Sequence, residues 1–270
     1  MKKKLFISII IITALLAVLY WYRVPVSDWV KEQFEEPVPD AVSYNDISAN
    51  TNTKASNENR NTNSANVNLN QVNANVAINI PKTLNLDVPF TSQAPLANWD
   101  EIHEDTCEEA ALLMVHRFYE NKPFEDTQTA DNELLALVDF QNVQYGDYKS
   151  TSAEETAQLI KDFYHYKRVD VVYDITINDI KQQVAQGKPV ILLSAGRELG
   201  NPNFKQPGPL YHALVVKGWT ETQIITNDPG TRKGHDYVYD PDVLINATHD
   251  WNNGDPTNGR RVMIVIYPDN

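Results

Sequence analysis

From residue 43 to residue 79 the chain is dominated by Asn, with Thr, Ser, Ala and Val filling most of the rest, as in NTNTKASNENRNTNSANVNLNQVNANVAIN. No aromatic residue follows Tyr44 in this stretch. So little large apolar surface cannot offset the entropy of fixing the backbone. The segment reads as a disordered linker, and a packed domain has to be assembled from residues 80–270. Over all 270 residues the composition, 42% hydrophobic and 22% charged, lies near the globular average. That excludes a wholly disordered, collagenous or multi-spanning protein.

Upstream of the linker, Lys2, Lys3 and Lys4 precede an uncharged run over residues 5–22. A run of 18 residues is just long enough for a membrane-spanning helix, which needs about 17–25. Lysines held in the cytoplasm would place everything after Arg23 outside. A cleaved signal peptide would give the same export, but no small-x-small cleavage site follows, and Tyr20, Trp21 and Tyr22 fit an interfacial anchor. The expected organisation is an anchor over residues 1–23, a juxtamembrane segment and linker over 24–79, and an extracytoplasmic domain over 80–270. A short helix at 27–36, ended by Pro37, is expected within the second part.

The formal net charge is -13, and residues 1–79 hold seven Lys/Arg and seven Asp/Glu, so the whole acidic excess belongs to the domain. Such a surface repels phosphate backbones and argues against a nucleic-acid partner. Within the domain, apolar spacing predicts helices over 106–120, 131–140, 152–166 and 177–186. Thr106 with Glu109, and Thr151 with Glu154, fit capping boxes. Strands are predicted over 169–173, 189–194, 211–219, 223–226 and 261–267. Helices first and strands later indicate an α+β fold.

The single cysteine, Cys107, excludes intrachain disulfides and zinc sites of the two-Cys, two-His kind. It falls at the first position of a predicted helix, where the macrodipole favours a thiolate. Asp105, Glu108 and Glu109 oppose that charge unless they point away, and a small buried structural cysteine fits the position as well. His212 opens the apolar strand YHALVVKGW, which turns at residues 220–222 and returns through QIITNDPG. Such a hairpin sets Asp228 beside His212, where a carboxylate could orient the imidazole. Taken singly, His212 could be structural and NDPG a turn. His103 with Glu104 and Asp105 offers metal-donor types but lacks a second His at i, i+4. His116 falls on the polar side of its helix, and Trp99, Trp219 and Trp251 fit either a cleft or a core.

Five stretches, LDVPFTSQAPLANWD, TCEEAALLM, GKPVILLSAG, YHALVVKGW and NDPG, together resemble the exported branch of the papain-like cysteine peptidases related to bacteriocin-leader (double-glycine) peptidases. The resemblance covers residues 84–267. It implies a helical half packed on a twisted antiparallel sheet, Cys107 as nucleophile, His212 as general base, Asp228 as orienting acid and Gln93 as oxyanion-hole donor. It implies neither a metal nor an organic cofactor. Two features depart from the family's pattern: Glu108 and Glu109 stand where Gly-Pro is common, and the stretch between Gln93 and Cys107 is longer. Acidic side chains after the cysteine would narrow the entry or select basic substrate groups. The function expected is a thiol-dependent hydrolase acting on peptide or cell-wall peptide substrates, with a non-catalytic binding module on the same fold as the rival.

Overall fold

The computed structural model of the chain describes residues 36–47 and 80–268. The uncharged run over 5–22, the Asn-rich stretch over 48–79 and all but the last residue of the juxtamembrane helix expected at 27–36 lie outside the described residues. Among the described residues, no helix is long and apolar enough to cross a membrane.

The central element is helix α1 (Cys107–Glu120), whose first nine residues are all buried. Its sequence explains this, since Ala110, Ala111, Leu112, Leu113, Met114 and Val115 leave no polar face in that stretch. Asn121, in the left-handed region at φ 53°, stops the helix and returns its N–H to Arg117 and Phe118 carbonyls. The capping box expected at Thr106 does not form: its hydroxyl donates to Gln93 O instead. Helix α2 (Thr127–Gln144) starts four residues earlier than the periodicity suggested, because Asp126 accepts from Thr129 N–H. Helix α3 (Ala153–Tyr164) has its capping box at Ser152 and Glu155, one residue along from the pair expected. It ends before residue 166, at His165 in the left-handed region. Helix α4 (Ile177–Val184) carries a further box from Thr176 and Asp179.

The strands β1 (Leu84–Asn85), β2 (Arg168–Tyr173), β3 (Val190–Ala195), β4 (Tyr211–Trp219), β5 (Ile224–Asn227), β6 (Tyr237–Tyr239) and β7 (Val262–Tyr267) make one antiparallel sheet. Its order is β2-β7-β3-β4-β5-β6, with β1 pairing β4. β3 and β4 are buried along their whole length, as continuous apolar runs require when both faces are covered. α1 packs on β3 and β4, α4 on the same pair, and α3 on β2 and β7. This is the α+β arrangement of helices on an antiparallel sheet. β1, β6 and the short helix α5 (Pro241–Ala247) were not expected.

The compact unit begins at Val38, not at residue 80 where the composition changes. Val42 N–H donates to Asn85 O, Asp87 N–H donates to Val42 O, and the Asn85 amide donates to Pro39 O. Tyr44 packs edge-on against Phe118 and Tyr119, with ring centroids at 5.5 and 5.3 Å. Ile47 lies so close to Gly187 that an added Cβ would sit 2.7 Å from its Cγ2. Residues 38–47 are thus a strap on the domain.

A chain starting at residue 80 should therefore be less stable than one starting at residue 38. Losing partial burial of Tyr44 and Ile47 amounts to about 3 kcal/mol, or a Tm lower by about 6–12 °C for a domain of this size. Shortening residues 48–79 by half should change Tm by no more than about 2 °C, since closure entropy varies only with the logarithm of length. Thermal melts of the three chains give the comparison, and equal melting of the first two would refute the strap.

Candidate active site

Asp228 is fully buried and collects four hydrogen bonds. Oδ1 pairs with His212 Nε2 at 2.8 Å and accepts from Gly230 N–H at 2.9 Å. Oδ2 accepts from the Asn201 amide at 3.0 Å and from the Tyr239 hydroxyl at 2.5 Å. Burial alone would raise this carboxyl, but the charge and hydrogen bond of His212, with Tyr239 and Gly230, hold it below its ordinary value. The same contact acts in reverse on Tyr239, whose hydroxyl is pushed up by burial and by the Asp228 charge.

The hairpin of β4 and β5 creates the pair, as its turn and period implied. The Gly230 N–H to Asp228 bond is an Asx turn, and Gly230 must lack a side chain because a Cβ would meet His212 Cε1 and Phe204 Cε1 at 2.8 Å. Phe204 covers the imidazole edge-on at 5.2 Å. Asn201, Phe204 and Tyr239 carry no sequence signal of their own, since each becomes relevant only once its loop or strand folds over Asp228.

Cys107 begins α1, on the helix that packs against β4. The Ala213 backbone, next to His212, opposes part of the upward shift of its thiol. The thiol itself donates to Glu108 Oε2 at 2.9 Å. Among the described residues no hydrogen bond joins the sulfur to the His212 ring. Burial pushes the thiol up, and the Glu108 charge and hydrogen bond push it further.

Gln93 lies between the two halves of the site. Its N–H donates to Pro229 O at 2.9 Å, and its carbonyl accepts from Thr106 at 3.1 Å. Its side-chain nitrogen, however, donates to His103 O at 2.8 Å and to Glu104 O at 3.1 Å. Both amide hydrogens are thus engaged away from an oxyanion. The long stretch between Gln93 and Cys107 supplies these carbonyls through a short 3-10 turn (His103–Asp105). His103 anchors that turn between Asp100 at 2.7 Å and Asp131 at 3.0 Å, not with Glu104 and Asp105 as the sequence grouped them. His116, expected to be solvated on the polar side of its helix, is partly buried and stacks on Tyr164 at 3.7 Å.

A cavity of about 430 Å³ opens beside these groups, lined among others by Gln93, Trp99, Glu104, Tyr211, Gly230 and Trp251. Trp219 belongs to the core instead, 1% exposed. Glu108 and Glu109 do not enter the cavity. Both are buried, so neither narrows an entry nor selects basic groups. Glu109 Oε1 accepts from Gln141 Nε2, while Glu109 Oε2 and Gln141 Oε1 have no partner. A protonated Glu109 carries a hydrogen that a carboxylate lacks, and so has a donor to offer in these buried surroundings. Burial, then the Glu108 charge, raise the Glu109 carboxyl to about 8.

A His–Asp pair on an antiparallel sheet, faced by a helix that starts with cysteine, is the arrangement of the papain-like class. The sequence pattern of the Peptidase_C39 like family matches residues 85–254, more than half of the chain, and the chain belongs to that family of cysteine peptidases. A solved structure of a candidate C39-like peptidase from Bacillus anthracis is similar at 14% identity and a TM-score of 0.44, over 68% of this chain and 96% of that one. No curated protein matches.

The state of Glu109 has a measurable signature. The folded chain holds its proton up to about pH 8, whereas an unfolded Glu releases it near its ordinary value of 4.5. The stability this contributes is full below pH 4.5 and is lost as pH rises through 8. Glu109→Gln keeps the bond to Gln141 without a titrating group, so its Tm should overtake that of the wild type as pH rises from 5 to 8.5. Parallel Tm curves for the two proteins would show that Glu109 is ionised in the fold.

Proposed function

We propose that the protein is a membrane-anchored, extracytoplasmic cysteine peptidase that cleaves peptide or amide bonds in a peptide or cell-wall peptide substrate through Cys107, His212 and Asp228. The observation that carries this reading is the buried His212–Asp228 pair, held by three further donors beside a helix N-terminus occupied by the chain's one cysteine. Membrane anchoring draws its support from the sequence alone, from the lysines and uncharged run over residues 2–22.

In this mechanism the Cys107 sulfur attacks the substrate carbonyl carbon and its proton passes to His212. Asp228 keeps His212 Nε2 engaged, which leaves Nδ1 to take that proton and return it to the departing amine. Water then attacks the thioester with His212 as base, releasing the acid and restoring the thiol. The Cys107 N–H, at the first helical position and without an intrahelical partner, is a donor for the oxyanion. The aromatic wall of Trp99, Tyr211 and Trp251 suits an extended peptide. The resting bond from Cys107 to Glu108 favours the rival, a binding module with an inert thiol.

Cleavage assays on peptide and peptidoglycan libraries decide between the two. Cys107→Ala should abolish turnover with the fold intact, and His212→Ala should come close to that. Asp228→Ala should lose less, because it orients the imidazole and does not itself react. Gln93→Ala should lose about 100- to 1,000-fold if its amide leaves the His103 and Glu104 carbonyls during turnover. A rate within threefold of wild type would assign Gln93 to holding that loop. Full activity in Cys107→Ala would end the peptidase reading.

A further inference from the structure

Acidic residues in the first turn of a helix are ordinarily solvated and favourable to the dipole. Glu108 is instead 2% exposed. Successive side chains on a helix point about 100° apart, so Glu108 has no default reason to meet Cys107. Yet it bends back, placing Oε2 2.9 Å from the sulfur while Oε1 accepts from Thr151 N–H at 3.1 Å. Thr151 is itself fixed, with its carbonyl accepting from Tyr211 and its hydroxyl pairing with Thr156. The carboxylate therefore bridges α1 to the loop before α3, and the bridge ends on the atom that would react.

A thiol has one hydrogen to donate. While that hydrogen points at Glu108 it is not available to His212. A thiolate in the same place would set two negative charges 2.9 Å apart in buried surroundings, where their repulsion is far larger than in water. An ionised Glu108 in this position and a thiolate at Cys107 thus exclude each other. We propose that Glu108 is a latch on the nucleophile: it holds Cys107 as a protonated, resting thiol, and the cysteine becomes reactive only when the Glu108 contact to the sulfur is broken. On release, the S–H bond breaks, its proton forms an N–H bond at His212 Nδ1, and the sulfur keeps the electron pair. The direction of the electrostatics at the sulfur agrees, since the Glu108 charge and hydrogen bond both push the thiol up. The other ionisable groups around the pair are Glu109 on the same helix and Tyr211 and His212 on β4.

This role deepens the peptidase reading, but its test is on the thiol and not on turnover. The chain has one cysteine, so alkylation of the full chain by iodoacetamide reports on Cys107 alone. Glu108→Gln keeps the acceptor for Thr151 N–H and removes the charge. At pH 7 it should be alkylated at least tenfold faster than wild type, the gain expected when a thiol pKa falls by one unit. A rate equal to or below that of wild type overturns the latch and makes Glu108 neutral or a helper of ionisation. Ultraviolet thiolate absorbance of the unaltered protein gives a second measurement that needs neither a variant that folds nor a reagent that reaches the sulfur. No thiolate at pH 7 is expected, and a substantial thiolate signal there overturns the proposal. Cys107→Ala cleavage tests the peptidase reading separately, so the two can fail independently.

Discussion

The constraint around which the domain is arranged is the burial of one carboxylate. A fully buried Asp228 is tolerable only if its charge is met by donors, because an unpaired buried charge is among the most costly things a fold can contain. Its donors come from four places in the chain: His212 on β4, Asn201 in the loop before β4, Tyr239 on β6 and Gly230 in the turn after β5. Each must arrive together with its element. The sheet order that sets β5 between β4 and β6 is the order that allows this, so the geometry of the imidazole and the topology of the sheet are one requirement.

The N-terminus of α1 poses the opposite problem. Two consecutive glutamates are buried where a packed helix would ordinarily place apolar groups, and they are resolved differently. Glu109 accepts from the Gln141 amide through one oxygen and leaves the other without a partner. Glu108 is held by a backbone N–H and by the thiol. The two solutions depend on each other, because the charge on one raises the other.

Much of this was legible in the sequence. The strands β3, β4 and β7 stand out as apolar runs with turn residues beside them, and the spacing of His212 and Asp228 about residues 220–222 fixes their meeting once a hairpin is assumed. What escaped depends on direction and not on pattern. Thr106 has the residue type of a cap, yet its hydroxyl is drawn to Gln93 O across the site. Gln93 is placed between the two halves of the site, but no spacing reveals that a neighbouring turn would engage its amide. Glu108 could be read as an acid beside a thiol, whereas its turn toward the sulfur depends on the position of Thr151, more than forty residues on. Residues 38–47 offered Val38, Val42, Tyr44 and Ile47 as packing groups, without a period that would distinguish a docked strap from the polar chain that follows.

That strap changes what the Asn-rich stretch can do. A spacer sets a separation only if its two ends belong to different bodies. Here Ile47 and Ile80 both pack against the same core, so the stretch between them is bounded at both ends by one body. Insertions or deletions between Ile47 and Ile80 change the span between two points of one body and not a distance between two bodies. Variation in the length of the stretch is then felt as chain closure within one domain.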